Sequence, residues 1–503
     1  MTDGDGVMLQ ALFNTARNGS GREMTVTFDA GRICWETEES SVEGAVGHKP
    51  DSQRKDLGAI KGNVLIDDVL LAELDDVQDG EDNPTTVSFT IHYASHIHEK
   101  KEPRICTSNV RFFGTKENSK EWVDSIQNAL STKFPHRPKR LLAFINPISG
   151  KRNGVKIFEE KARPLLDKFI TETDVIVTEK SGHIEEILES KDLEEYDGIL
   201  SVGGDGTLAE VVNGLVRRST PDLGLDENCE ISLSPSPHPI GILPTGSGNI
   251  ILHNANASRD VVTATLCIIL GETLGKDVAS VHSGKKLIRY TNLSTAVGFF
   301  VDWSRRAERS RWMGMGRLLW GGVYSLAKHS SIEVEIEYLP VDSSQSSERA
   351  TEAEASSSSS ELSNGWRKVS GQFVQCDSYV IDPAGHPVRK TYANGQMCLI
   401  LVKPCSRTAH VKFLAKFFKQ DSQAYDFEFV ENIKVKAYKL QPIGNWKNNE
   451  GNHYLNVDGD IVCLPEASYS VRIHPELVRL FARKSEVFES KDAGPAQQLS
   501  SEN

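Results

Sequence analysis

Between Leu141 and Val216 the chain alternates short runs that are apolar throughout with longer runs that are apolar on one side only. LLAFIN, TDVIVTE and YDGILSV have the length and β-branched content of buried strands, whereas VKIFEEKARPLLDKF, HIEEILES and TLAEVVNGLV carry helical spacing. That cadence predicts a parallel sheet with helices on both faces, because each parallel strand needs a crossover to bring the chain back. Sheets of this kind bind ligands at the carboxyl ends of their strands. Chemistry is therefore expected in the residues that follow each strand.

Those residues are rich in glycine. SVGGDGTLAEVVNGL follows the strand YDGIL and opens a helix, so Gly203, Gly204 and Gly206 let the backbone turn sharply and approach a phosphate, while the helix start supplies unpaired N–H donors. Asp205, held among them, is placed to take a proton from an attacking hydroxyl or to help hold a metal. Taken alone, GGDGT is equally a turn with a helix cap. INPISGK, from Ile145 to Lys151, and LPTGSGN, from Leu243 to Asn249, add two more such loops, and Gly246, Ser247 and Gly248 are expected to offer amides to an anion. Other nucleotide motifs are excluded: a P-loop needs Gly at the position of Ile145 and Ser or Thr at that of Arg152, and neither an HRD and DFG pair nor a GxSxG elbow occurs. Phosphoryl transfer fits these loops better than ester hydrolysis.

The chain is long enough, at 503 residues, for two or three domains. Before Leu130, Met24 to Phe28, Arg32 to Trp35, Thr86 to Ala94 and Asn109 to Phe113 read as strands, and KEWVDSIQNAL reads as a helix with Trp122, Ile126, Ala129 and Leu130 on one face. This strand-rich module closed by a helix resembles a pleckstrin-homology domain and is assigned to residues 1–132. The proline-rich and basic KFPHRPKR marks a linker, 133–140. The α/β, Rossmann-like domain takes 141–285. From 286 to 485 runs such as IEVEIEYL, GQFVQCDSYVI, QMCLILV, FEFVENIKVKAY and YSVRIH predict an antiparallel β-sandwich. The Ser- and Glu-rich tract 341–363 within it and the polar tail 486–503 are expected to be disordered. His96 and His98 alternate in a β run and are expected to face solvent.

A net charge of −13 argues against a nucleic-acid partner, whose binding rests on neutralising phosphates. The eight cysteines form no CxxC pair, so neither structural zinc nor a disulfide framework is expected. No signal peptide and no apolar window of membrane-spanning length occurs, which predicts a cytoplasmic protein that meets any membrane from the water side.

In order, NPISGK, VTEK, GGDGT and LPTGSGN resemble the diacylglycerol-kinase-type catalytic domain shared by diacylglycerol, sphingosine and ceramide kinases, and SVHSGKKLIRY, DFEFVENIKVKAY and HPELVRLFAR resemble the ceramide kinase branch. The resemblance covers about Arg137 to Lys484. It implies an ATP-dependent lipid kinase with Mg²⁺, acting on the primary hydroxyl of ceramide or a sibling lipid, sphingosine or diacylglycerol. Carried onto this chain it implies nucleotide contacts at Asn146, Pro147, Ile148, Thr178, Glu179, Lys180, Ser181, Gly182, Glu210 and Gly246 to Gly248, with Arg311 and Arg317 meeting the phosphates and Asp205 as base. It further implies Asp458, Gly459 and Asp460 near the nucleotide, both aspartates as Mg²⁺ ligands, and lipid contacts at Gly203, Gly204, Asp205, Gly206, Ser294 and Asp302. The late motif has Asp460 where the family has Glu.

Sphingosine kinases carry a second acidic residue two positions beyond the equivalent of Asp302; this chain has Ser304, which suits an uncharged amide better than an amine. The CxxxCxxC cluster of many ceramide kinases is absent. A lipid-binding scaffold without activity and an NAD kinase are the remaining alternatives. The N-terminal module is expected to meet an anionic membrane, and residues 411–420, VKFLAKFFKQ, combine aromatic and basic residues as calmodulin targets do.

Overall fold

The computed structural model describes residues 9–15, 22–29, 31–37, 61–75, 86–97, 102–150, 152–219, 233–246, 249–256, 258–314, 316–341, 360–361, 365–383, 393–444 and 453–483. Its first unit is a seven-stranded antiparallel sheet built from β1 (Leu9–Asn14), β2 (Glu23–Phe28), β3 (Arg32–Thr37), β4 (Lys61–Leu65), β5 (Val69–Leu74), β6 (Val87–Ile97) and β7 (Arg104–Gly114). The order is β4-β3-β2-β1-β7-β6-β5. Alternation turns Met24, Val26 and Phe28 inward along β2. Helix α1 (Lys116–Lys133) starts at a Thr115 cap and buries Trp122, Ile126 and Leu130 in the same core, where Trp122 meets Phe13 edge to face at 5.4 Å. The strands Leu9–Asn14, Lys61–Leu65 and Val69–Leu74 were not among those read from the sequence. His96 does not face solvent: its Nε2 lies 3.3 Å from Asp68 and its side chain is 8% exposed. His98 lies outside the described residues.

The second unit begins with β8 (Arg140–Ile145). Helix α2 (Gly154–Ile157) runs through a π-helical turn, Phe158–Ala162, into α3 (Arg163–Phe169), and then come β9 (Glu172–Val177), α4 (His183–Ser190), β10 (Gly198–Gly203), α5 (Asp205–Ser219), β11 (Ile240–Pro244), α6 (Ile250–Asn256) and α7 (Val261–Leu270). The strands are parallel in the order β11-β10-β8-β9. Leu141 to Ile145 are fully buried, as a strand covered on both faces requires.

The same sheet continues into an antiparallel region through β23 (Tyr469–Phe481), which touches β11 in parallel at Leu480 and pairs along β12 (Thr273–Ser283). Around these lie β13 (Lys286–Thr291), β14 (Ser294–Gly298), α8 (Phe299–Arg309), α9 (Gly316–Lys328), β15 (Ile332–Pro340), β16 (Ser360–Glu361), β17 (Arg367–Phe373), β18 (Gln375–Tyr379), β19 (Met397–Val402), α10 (Arg407–Phe418), β20 (Val430–Pro442), β21 (Tyr454–Val457) and β22 (Asp460–Cys463). Two apolar clusters form against this region, one of them beneath α8 and α10. The run GQFVQCDSYVI is two strands, broken at Val374. Of the tract expected to be disordered, Ser360 and Glu361 pair with β17; most of the rest, and the tail 486–503, lie outside the described residues.

An ionic clamp holds the first unit to the second. Arg483, just past β23, reaches Asp68 at 2.6 Å and Glu272 at 2.8 Å, with only 2% of its side chain exposed. Arg137, in the segment read as a linker, donates to the carbonyls of Val69 at 2.6 Å and Asp67 at 3.2 Å. Burial, and then the nearby Arg483 charge, bring the Arg137 pKa down to about 10, still well above neutrality. Replacing Arg483 by Ala removes the buried cation that Asp68 and Glu272 share. The expected loss in urea unfolding is about 3 kcal/mol, and a loss below about 1 kcal/mol would show the clamp to be no more than a surface pair.

Candidate active site

The loops after β8, β9, β10 and β11 meet at one end of the parallel sheet, and their backbones touch. A Cβ on Gly246 would stand 2.4 Å from the Gly204 Cα, and one on Gly150, at φ +56°, would stand 2.3 Å from the Thr245 carbonyl oxygen. A Cβ on Gly203 would strike the Thr207 hydroxyl at 2.2 Å. Hydrogen bonds close the assembly: Thr245 N and Gly246 N both donate to the Gly203 carbonyl at 3.0 Å, and Asn146 Nδ2 donates to Thr207 at 3.2 Å. Gly206 has open space where a side chain would be.

The loops after β8, β9 and β10 border a cleft of about 340 Å³. Asn146, Pro147 and Ile148 line it from β8, Thr178, Glu179, Lys180 and Ser181 from β9, and Gly204, Gly206 and Glu210 from the start of α5. Asp460, from the opposite unit, completes the wall. Ser181 Oγ donates to Glu210 at 3.4 Å, tying the second and third loops together, while Lys180 turns to Glu186 at 2.7 Å. Gly182, at φ +79°, allows the turn into α4. Sequence reading passed over Ser149, Ile184 and Thr207, which also line the cleft; Thr207 stands inside GGDGT and was legible there as the hydroxyl of the helix start.

Other expected residues lie elsewhere. Asp205 accepts from the backbone N–H of Ile250 at 3.2 Å and Ile251 at 3.3 Å, so its carboxylate is fixed against the start of α6 beside the cleft. Asp458 is turned inward. Its carboxylate accepts from Thr291 Oγ1 at 2.5 Å and from the N–H groups of Asn292, Leu293 and Ser294 at 3.1, 3.0 and 2.9 Å. That occupation makes Asp458 the organiser of the β13 to β14 turn, at odds with its expected part as a metal ligand. Burial raises its pKa, and the Thr291, Ser294 and Asn292 hydrogen bonds work the other way. Gly459, at φ +93°, carries the chain on to Asp460, whose Oδ2 meets Arg289 at 2.9 Å.

Arg317 opens α9 and does not line the cleft; the Arg311 side chain, Ser247 and Gly248 lie outside what is described. Asp302, on α8, receives Lys328 at 2.8 Å and Ser330 at 3.3 Å. Ser304 accepts from Asn456 Nδ2 at 2.7 Å. Ser294 opens β14 opposite Tyr379.

Among the described residues no cluster of three His, Cys, Asp or Glu side chains could hold a metal ion. The cleft is lined by three carboxylate residues, Glu179, Glu210 and Asp460, a set compatible with Mg²⁺, which commonly takes one or two carboxylates together with substrate phosphates.

Residues 140–281 match the diacylglycerol kinase catalytic domain, and residues 293–494 match the ceramide kinase C-terminal domain. The chain is 29% identical over 450 residues to ceramide kinase of Homo sapiens, covering 79% of this chain and 82% of that one. It is 30% identical over 376 residues to sphingosine kinase 1 of Arabidopsis thaliana, covering 70% and 74% respectively. A solved diacylglycerol kinase from Bacillus anthracis str. Sterne aligns with a TM-score of 0.46 at 14% identity, over 70% of this chain and 99% of that one.

Gly246→Ala tests the loop contact. Because the added methyl meets backbone, the loops must separate, and ATP affinity measured by calorimetry should fall about tenfold or more with the circular dichroism spectrum unchanged. Undiminished affinity would mean that the three loops do not form a nucleotide cradle.

Proposed function

Because the chain belongs to the lipid kinases built on the diacylglycerol kinase catalytic domain, we propose that it transfers the γ-phosphoryl group of ATP to the primary hydroxyl of ceramide, giving ceramide 1-phosphate. The observation that carries this reading is the convergence of three strand-end loops on one cleft, with the β11 loop packed against them, Asp205 beside them and a C-terminal region of the ceramide kinase type in the same chain. The nucleotide is held by Asn146, Pro147, Ile148, Thr178 to Gly182, Glu210 and Gly246 to Gly248, with Arg311 and Arg317 brought to its phosphates. Glycine at the loop crossings lets amide donors approach those phosphates without side chains between.

The acceptor hydroxyl, guided by Gly203, Gly204, Gly206, Ser294 and Asp302, attacks the γ-phosphorus in line. Asp205 takes the hydroxyl proton, the new O–P bond forms, and the bond to the bridging oxygen breaks to release ADP. The two α6 amides hold the Asp205 carboxylate in one orientation for that transfer. Mg²⁺, when bound, neutralises phosphate charge, and Asp460 is the residue that would reach it. Asp458 acts by supporting the hairpin that presents Asp460.

In this reading the N-terminal sheet with α1 across it is a pleckstrin-homology-like module, 1–132, that meets anionic membrane. Residues 141–285 are a Rossmann-like catalytic domain and 286–485 a β-sandwich for the lipid, with 133–140 joining the module to them. The seven-strand order and the single closing helix support the first assignment, and the parallel strand order supports the second.

Among the described residues no helix is long and apolar enough to cross a membrane. A second membrane contact, beside that of the N-terminal module, falls to the α8 to α9 hairpin, where Trp312 is 85%, Leu319 75% and Val323 50% exposed. Such an apolar patch on a lipid-modifying protein is matched to a bilayer. Calmodulin would meet a different obstacle at 411–420, because Phe413, Leu414 and Phe417 are buried. Capture of α10 requires that helix to leave its core.

Labelled γ-phosphate supplied as MgATP to ceramide, sphingosine and diacylglycerol in mixed micelles should appear in the ceramide product. Asp205→Asn should lower turnover by at least about a thousandfold while ATP affinity stays within a factor of about three. Preference for another lipid would move the chain to a sibling activity, and no product with any lipid would leave a binding scaffold. For the hairpin, Leu319→Glu combined with Trp312→Glu should weaken adsorption to vesicles about tenfold or more without altering ATP affinity; unchanged adsorption would remove the hairpin from membrane contact.

A further inference from the structure

Beneath the α8 to α9 hairpin the antiparallel sheet carries a polar cluster inside an apolar shell. Asp377, in β18, is 1% exposed, and its Oδ2 accepts from the Gln375 side-chain amide and from the Tyr379 hydroxyl at 3.4 Å. Gln375 Oε1 faces His410 Nε2 at 3.3 Å, and His410 is fully buried between Phe299, at 4.7 Å, and Phe413, at 6.1 Å. The His329 ring stands 5.3 Å from that of His410 and leaves its Nε2 buried without a partner among the described residues, and within the Asp377, Gln375 and His410 set two further atoms are left over. Asp377 Oδ1 and His410 Nδ1 are buried and have no hydrogen-bond partner among the described residues. Buried polar atoms of this kind are the ones that a ligand with complementary polar groups would satisfy.

Proton bookkeeping identifies its chemistry. Because the Gln375 amide nitrogen donates to Asp377, its oxygen is free to accept, and His410 Nε2 must then carry the hydrogen; Nδ1 of the neutral ring is left as an acceptor. Burial brings the His410 pKa down to about 4, which keeps the ring neutral. Burial likewise raises that of Asp377 well above the usual carboxylate range. With two donors already on Oδ2, the carboxyl proton belongs on Oδ1, which then points outward as a donor. One buried donor and one buried acceptor, both uncharged and flanked by aromatic rings, complement the C=O and N–H of a secondary amide.

The location agrees. In the pairing of β14 with β18, Ala296 stands opposite Asp377 and Ser294 opposite Tyr379, so the cluster shares a sheet face with Ser294 and lies one alternation along from it, about 7 Å by strand geometry. Asn456 stands on the other side of Ala296 and holds Ser304 of α8 across the same face.

We propose that Asp377 and His410, positioned by Gln375, form a subsite that recognises the amide of an N-acylated sphingoid lipid, Asp377 donating to its carbonyl and His410 Nδ1 accepting its N–H. This rests on the lipid-kinase reading and deepens it. An ester offers the carbonyl without the N–H, leaving His410 unmet; a free amine offers charge to a site that has none to answer it. Sites built to bond a particular N–H discriminate strongly against analogues without it.

The test uses the full chain, MgATP and mixed micelles holding either an N-acyl sphingoid base or its N-methyl-N-acyl analogue. The unaltered protein should prefer the N–H lipid by about tenfold or more in kcat/KM. His410→Phe, which keeps an aromatic ring between Phe299 and Phe413, should bring that ratio to within about twofold of unity. Asp377→Asn, which retains a donor, should keep the preference, whereas Asp377→Leu should depress both lipids. A His410→Phe protein that retains the full ratio with unchanged thermal stability overturns the subsite, as does a wild-type protein indifferent to the N-methyl group. If wild type phosphorylates neither N-acyl lipid but does phosphorylate sphingosine or diacylglycerol, the assignment of ceramide as acceptor fails first, and the amide subsite falls with it.

Discussion

The contact on which the site depends is backbone against backbone. Gly204 and Gly246 approach so closely that no side chain fits between them, and Gly150 lies equally close to the carbonyl of Thr245. Three loops from three separate strands are thereby brought together with their amides available and little bulk between. A parallel sheet supplies the means, because the ends of neighbouring strands emerge side by side. The register sets Val202 beside Ile145 and Leu243, and each loop starts from that line. The cleft is thus a consequence of strand register and glycine together.

The opposite wall is made by a different device. In the sequence Asp458 and Asp460 look interchangeable, two carboxylates around a glycine, but the fold separates their duties. Asp458 spends its lone pairs on four donors of the 291–294 turn, which fastens the β21 to β22 hairpin to β14. Gly459 reverses the chain, and Asp460 then faces the nucleotide side, restrained by Arg289. The first carboxylate is the anchor for the second.

Legibility in the sequence followed the range of the interaction. The parallel strands and the glycine loops could be read because a buried strand followed by a turn and a helix cap is a pattern of about a dozen consecutive residues. Thr207 was within those motifs. The anchoring part of Asp458 could not be read because its partners lie in the turn more than 160 positions away, where nothing local announces them. The Arg289 to Asp460 pair is of the same kind. His96 was misread because alternation gives the face of a strand but not what covers it; here Asp68 does. Leu9–Asn14 escaped notice because only Phe13 of its side chains is fully inward, so its alternation is weak.

The two units that flank the parallel sheet are held to it by unlike forces, and this bears on how the molecule can respond to its substrate. The N-terminal unit is tied by charge and carbonyl acceptors around Arg137 and Arg483, which are directional contacts, and by Leu70, Ala94 and Ile105 packed into the core of the parallel-sheet domain. The lipid side is joined by continuous strands, with β23 running from β20 through to β11. The hairpin of α8 and α9, like α10, lies outside that strand network. It packs through Trp303 against Gly321 and Gly322, presents Leu319 and Trp312 outward, and covers Asp377 and His410 beneath. Strand pairing therefore keeps Asp460 and Ser294 in fixed relation, while displacement of the hairpin over the buried polar pair breaks no strand pairing.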